Sequence, residues 1–203
     1  YSEPVPADDI LAFVRAKLPS DPLTLTGTLK VRTAKGFTKT SLPVAMDLDW
    51  GTEPPSAHYR IGDQSLDIAW KNNVPSYAFS DPKNKPTSQI LDTGLTWADL
   101  SFSVLWWPHA KLVDEETKIN RACYVVEVPV PGTPDTMRLW IEKNMGMLLE
   151  ADTLDAKRNV IRTLKIKSIK KMDGIWIAKD LELADQATGN KTMLQIGDLQ
   201  WTN

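Results

Sequence analysis

The chain is poor in the residues that most chemistry needs. It has one cysteine and two histidines among 203 residues. Cys123 has no partner for an internal disulfide, and with two histidines it does not complete a structural zinc site. Charge is nearly balanced, at a formal net of -2, so nothing electrostatic argues for binding nucleic acid. No apolar run reaches the roughly 18 residues of a bilayer-spanning helix. The patterns G-x-S-x-G, H-E-x-x-H, the phosphate-binding loop and G-x-G-x-x-G are all missing. Neither an enzyme nor a metal or other cofactor is expected. The chain starts at Tyr1 without a methionine, as it would after loss of a signal peptide. Cys123 is too far inside to be a lipidation site, so any lipid anchor is expected upstream of Tyr1.

Ordinary packing accounts for the few reactive residues. His58 falls on a strand beside Tyr59 and Arg60, His109 follows Pro108 at a helix end, and Cys123 lies mid-strand as a small core residue. Asp47 and Asp49 alternate outward and read as a solvated face rather than a catalytic carboxylate pair. In KIKSIKK (165–171) lysines interleave with Ile166 and Ile169, the wet face of a strand. Glu150, Asp152, Asp180 and Glu182 are available as its cross-strand partners.

What the chain has in quantity is β pattern. The segments TMRLWIE (136–142), MLLEADTLD (147–155), VIRTLKIKSI (160–169), IWIAKDLELA (175–184) and TMLQIGDLQW (192–201) follow one another with only short turns between them. Strands joined this tightly are antiparallel neighbours, because a parallel crossover needs about a dozen residues. In the first half, ADDILAFVRAKL (7–18) places Ile10, Phe13, Val14 and Leu18 on one helical stripe before Pro19 and Pro22. LTLTGTLKV (23–31) and SLPVAMDLDW (41–50) then alternate strictly, with Pro43 pointing to an edge or a strand start. AHYRIG (57–62), SLDIAW (65–70) and the doubly covered run INRACYVVEVPV (119–130) are further strands. DPKNKPTSQ (81–89) is a loop by composition. No linker or repeat divides the chain, which reads as a single domain over 1–203.

One segment breaks the β pattern. Thr96 and Asp99 form a capping box, and Leu100, Val104, Leu105 and Trp106 follow in a helix predicted to run from 96 to 107, where Pro108 ends it. The eight tryptophans fill a core or line a groove. The alternating strands carry one apolar face: Met137, Leu139 and Ile141, then Met147, Leu149 and Ala151, then Leu164 and Ile166, then Ile175, Ile177, Leu181 and Leu183, then Leu194 and Ile196. A sheet this wide curls. The expected fold is therefore mainly β (α+β), a half-open antiparallel β-barrel with the two helices covering its concave face. Either side chains fill that concavity, or a slot remains for an apolar ligand. The candidate wall and lid are Leu139, Ile141, Met147, Leu149, Ile177, Leu181 and Leu194 with Leu100, Val104, Leu105 and Trp106.

RACYVVEV (121–128), RLWIEKNMGMLLEADTLD (138–155) and LKIKSIKKMDGIWIAKDLELADQATGNKT (164–192) resemble the C-terminal half of bacterial outer-membrane lipoprotein-sorting proteins. TGLTWADLSF (93–102) is similar to that family's helix start. The superfamily is that of the periplasmic lipoprotein carrier LolA and its outer-membrane receptor LolB. The resemblance covers about half of the chain and rests on the W-I-E-K strand end, the D-G-I-W-I hairpin and the L-A-D-Q-A-T-G-N-K-T close. It implies a half-open barrel with a helical lid, and a periplasmic or outer-membrane-associated, non-enzymatic carrier. Its ligand would be a lipid or an acylated protein, and its partners membrane-associated. Shielding acyl chains is worth roughly 0.8 kcal/mol per methylene. In the carrier an arginine holds the lid closed, and Arg60 is one candidate for that role. A general hydrophobic-ligand module, or a structural domain with a filled core, is the alternative.

Overall fold

The structure, a computed structural model, describes residues 3–202. Twelve antiparallel strands form one open sheet in the order β5-β4-β3-β2-β1-β12-β11-β10-β9-β8-β7-β6. Short turns connect most successive strands, as their sequences demand. Backbone packing divides the chain into two compact units. The first comprises Tyr1–Leu18 and Val104–Lys165, and the second Pro19–Ser103 and Ile166–Asn203.

The first unit contains α1 (Ala7–Ala16), β6 (Lys111–Lys118), β7 (Arg121–Pro129), β8 (Thr136–Glu142), β9 (Leu148–Leu154) and the start of β10 (Val160–Met172). In α1, Asp8 and Asp9 occupy the first turn and Arg15 the last, as the helix dipole favours. Its buried stripe is Ala7, Ile10, Leu11 and Val14. Phe13 and Leu18, expected on that stripe, are only half buried. The helix stops short of Leu18 because the Lys17 and Leu18 amides bond three residues back, to Val14 and Arg15, ahead of Pro19.

One face of this unit's sheet is apolar. Tyr124 pairs with Ile141, Val126 with Leu139 and Val128 with Met137. The expected continuation through Met147 and Leu149 is broken by a bulge, which puts Leu148 opposite Ile141. One extra residue in β9 is enough to turn the alternation over.

The second unit contains β1 (Leu23–Arg32), β2 (Thr38–Asp49), β3 (Ser56–Ile61), β4 (Gln64–Lys71), β5 (Val74–Phe79), α2 (Trp97–Leu100), the end of β10, β11 (Ile175–Asp185) and β12 (Lys191–Trp201). Register aligns its core in rows across the sheet: Leu25–Met46–Tyr59–Leu66–Phe79 and Leu23–Leu48–Ala57–Ile68–Tyr77. β2 is not an edge strand, contrary to the reading of Pro43: it pairs on both sides, with β1 and with β3. Proline is accommodated because the ladder to β3 begins only at Val44, and the Pro43 carbonyl accepts from the Gly62 amide. Between Thr26 and Gly27 the β1–β12 register shifts. A Cβ on Gly27 would lie 2.1 Å from the Gln195 carbonyl oxygen, so this close approach requires glycine.

The predicted helix over 96–107 is instead two short pieces. α2 ends at Leu100, and a 3-10 helix spans Ser103–Trp106. Phe102 between them has φ 50°, in the left-handed region. The Ser101 hydroxyl donates to the Trp97 carbonyl at 2.8 Å and the Phe102 amide bonds Asp99. Serine competing for carbonyls within the turn ends the helix there.

A candidate apolar site and the segments over it

The candidate wall and lid residues divide between the units. In the first, Leu139 and Ile141 have no exposed surface. Leu149, Val104 and Leu105 are buried, while Met147 and Trp106 are half buried. In the second, Leu181 pairs directly with Leu194 and both are buried, as is Leu100 on α2, whereas Ile177 is half buried. Within each unit most of these residues are thus covered, Met147, Trp106 and Ile177 being the exceptions.

In the first unit α1 lies against β6. Arg15 Nη1 donates to the Leu105 main-chain carbonyl, fastening the helix to the 3-10 segment. Partial burial of that guanidinium lowers its pKa, an effect that nearby Asp8 opposes. Phe13 packs over Gly146, whose missing side chain makes room for its ring. Arg15 was not picked out from the sequence, yet a signal was there: Leu11, Arg15 and Leu18 share one helical stripe. Arg60, the candidate taken from the family resemblance, is exposed on β3.

In the second unit the Trp97–Ser103 stretch is pinned from below. The Tyr77 hydroxyl donates to Ser103 Oγ at 3.0 Å, and Ser103 Oγ lies 2.7 Å from Ser101 Oγ. The Phe79 ring stacks on Tyr77 and meets Trp97 edge-on at 6.0 Å. β5, which supplies Tyr77 and Phe79, was not predicted as a strand. Neither was β6, whose KLVDEETK is too acidic to read as one.

The opposite face of the first unit is a charge network rather than bare solvated surface. Lys118 reaches Glu150 at 2.8 Å and lies 4.3 Å above the Trp140 ring. The Trp140 indole donates to Glu116, and Lys165 approaches Glu150 at 3.8 Å. Glu127 accepts from both Arg158 and Arg138, which holds its carboxyl below the usual range. Burial, with Glu150 nearby, pushes Asp152 the other way. Of the acids expected as cross-strand partners of KIKSIKK, Glu150 meets Lys165, whereas Asp180 accepts from the Ser168 hydroxyl rather than from a lysine.

The polar face of the second unit carries an open groove of about 490 Å³, whose lining includes Asp47, Asp49, His58, Asp67, Ser56 and Ser76. His58 Nδ1 is 2.6 Å from Asp67 Oδ1. No cluster of three or more His, Cys, Asp or Glu among the described residues could hold a metal ion. Cys123 is buried, which raises its thiol pKa.

A family model described as "Uncharacterized protein" matches residues 82–203, more than half of the chain. The chain belongs to that family. No curated protein matches it in sequence. Among solved structures it is similar to a DUF1329 family protein from Desulfovibrio piger, with a TM-score of 0.76 at 13% identity, covering 96% of this chain and 91% of that one. A domain from Vibrio parahaemolyticus described as an outer membrane lipoprotein-sorting protein gives a TM-score of 0.76 at 13% identity, with 97% and 92% covered. A LolA superfamily protein from Nitrosomonas europaea gives 0.71 at 13%, with 98% and 95% covered. The fold is that of these proteins, over essentially their whole length.

Proposed function

We propose that the protein is a periplasmic or outer-membrane-associated, non-enzymatic carrier that shields the acyl chains of a lipid or lipid-modified protein. The observation that carries this reading is the likeness in fold to LolA-superfamily and lipoprotein-sorting proteins along the whole chain. The physical basis is an apolar strand face with short helical segments to cover it. Leu139, Ile141 and, past the bulge, Leu148 form the wall in the first unit, with Val104, Leu105 and Trp106 as the candidate lid residues. Ile177, Leu181 and Leu194, with Leu100, contribute a second wall in the other unit. α1 is the cover: ten residues long, held by one apolar stripe and by the Arg15–Leu105 hydrogen bond. When it swings out, each acyl methylene taken from water contributes roughly 0.8 kcal/mol, which offsets the lost packing of α1. Sorting of outer-membrane lipoproteins is the role this chemistry serves, within a half-open barrel.

A second reading is a structural domain with a filled core, favoured by the absence of exposed surface on Leu139 and Ile141. A fluorescent fatty acid, with native mass spectrometry of protein purified from membrane-containing cells, distinguishes the two. Saturable probe binding and co-purifying phospholipid or acylated peptide support the carrier. No binding by wild type, nor by Arg15→Ala with its cover loosened, leaves the filled core.

A further inference from the structure

Between the buried residues Leu164 and Leu181 no side chain is buried. This stretch is the β10–β11 hairpin, turned at Asp173-Gly174, and from Ile166 onward it belongs to the second unit. Ile166, Ile169, Met172, Ile175 and Ile177 are all half exposed along it. Trp176 is 56% exposed, and the Lys171 ammonium lies 5.9 Å from its ring centroid.

Charge is concentrated in the same place. Residues 166–179 contain four lysines and one aspartate, while the whole chain carries a net charge of -2. The rest of the protein is therefore acidic on balance, and the hairpin is cationic.

We infer that the β10–β11 hairpin docks the protein on an anionic lipid bilayer surface. A tryptophan ring with a polar edge sits at the headgroup level of a membrane. Lysines beside it place their stems along the apolar boundary and their ammonium groups among the lipid phosphates. The half-exposed isoleucines add apolar area that water now wets. A two-stranded ribbon has backbone groups at its margins that hydrocarbon would leave unpaired, so it lies in the interface and does not cross. The acidic remainder is repelled by the same surface, which orients the molecule with this hairpin toward the lipid. The inference does not depend on ligand carriage, since the hairpin residues are surface side chains whatever the apolar faces hold.

Vesicle flotation tests it. Full-length protein is mixed with phosphatidylcholine vesicles, with or without about 30% phosphatidylglycerol. Wild type is expected to float with the anionic vesicles at least tenfold more than with neutral ones, and to be released as salt rises from roughly 50 to 300 mM. Trp176→Ser and the combined K167Q/K170Q/K171Q variant are expected to lose at least tenfold of that binding, while K83Q/K85Q, in a loop elsewhere, keeps it. Circular dichroism and the thermal midpoint confirm that each variant is folded, and the fatty-acid probe reports any acyl site separately. Loss of flotation with unchanged probe binding supports the inference. It is overturned if wild type floats equally with both vesicle types, if the hairpin variants float like wild type, or if the hairpin captures a soluble acidic protein but no vesicle.

Discussion

The Arg15 guanidinium donates a hydrogen bond to the main-chain carbonyl of Leu105, joining the N-terminal helix to the 3-10 segment across 90 residues of sequence. A charged donor on a neutral carbonyl that is partly shielded from water is among the stronger hydrogen bonds of a fold. Replacing Arg15 by alanine is expected to cost about 1.5–3 kcal/mol in urea denaturation. Hydrogen exchange of the α1 amides should rise more than that of β8. Equal protection of α1 in both proteins would show that the apolar stripe holds the helix unaided.

Glu127 and Asp152 predict opposite responses to pH. Glu127 is held below its ordinary value of 4.5 by Arg158 and then by Arg138. Its stabilisation is complete above that ordinary value and is lost as pH falls through the lower folded value. Glu127→Gln should reduce the unfolding free energy at neutral pH and flatten its acid limb. A variant as acid-sensitive as wild type would refute that account.

Asp152 is raised above 3.8, mainly by burial, and its Oδ1 lacks a partner. A carboxylate whose folded pKa is raised disfavours folding above that value and ceases to do so as pH falls through it. Asp152→Asn should therefore stabilise the protein near neutrality. The expected rise in thermal midpoint is roughly 2–4 °C. A lower midpoint at pH 7 would mean that the charge is needed by Lys118 and Arg138.

Gly27→Ala places a methyl on the Gln195 carbonyl oxygen at the β1–β12 register shift. Backbone on backbone cannot yield as a side chain does, so a loss of about 2–3 kcal/mol is expected from overpacking. Chemical denaturation measures it directly, and a change under roughly 0.5 kcal/mol would show that the bulge relaxes.

Cys123 is buried on β7 with a raised thiol pKa. Both features withhold the thiolate, the reactive form. A disulfide reagent should modify the native protein slowly and the urea-unfolded protein at least tenfold faster. Rapid native labelling would place Cys123 in a segment that opens.

The sequence was most legible where alternation was strict. Leu23 to Val31 could satisfy one buried face in only one way, and the tight turns after Thr136 admitted only antiparallel pairing. The strands that escaped, β5 and β6, are the two edges of the sheet. VPSYAF and KLVDEETK are paired on one side only, so neither needs the apolar signature of an interior strand. Met147 was misplaced by a bulge, which one additional residue creates and no periodicity announces. The helix over 96–107 failed at Ser101 and Phe102, where side-chain hydrogen bonds within the turn outweighed an apolar pattern that suited a helix.

Composition and period determined on their own that this chain is mainly antiparallel β, and which face of most strands turns inward. These are local properties, set by side-chain alternation and by turns a few residues long. Tertiary structure decided what lies over those faces. Arg15 meets a carbonyl 90 residues away, Tyr77 meets Ser103, and the basic hairpin after Leu164 is left outside the core. Such pairings depend on where distant segments come to rest, and a one-residue bulge or a single serine in a turn is enough to redirect them.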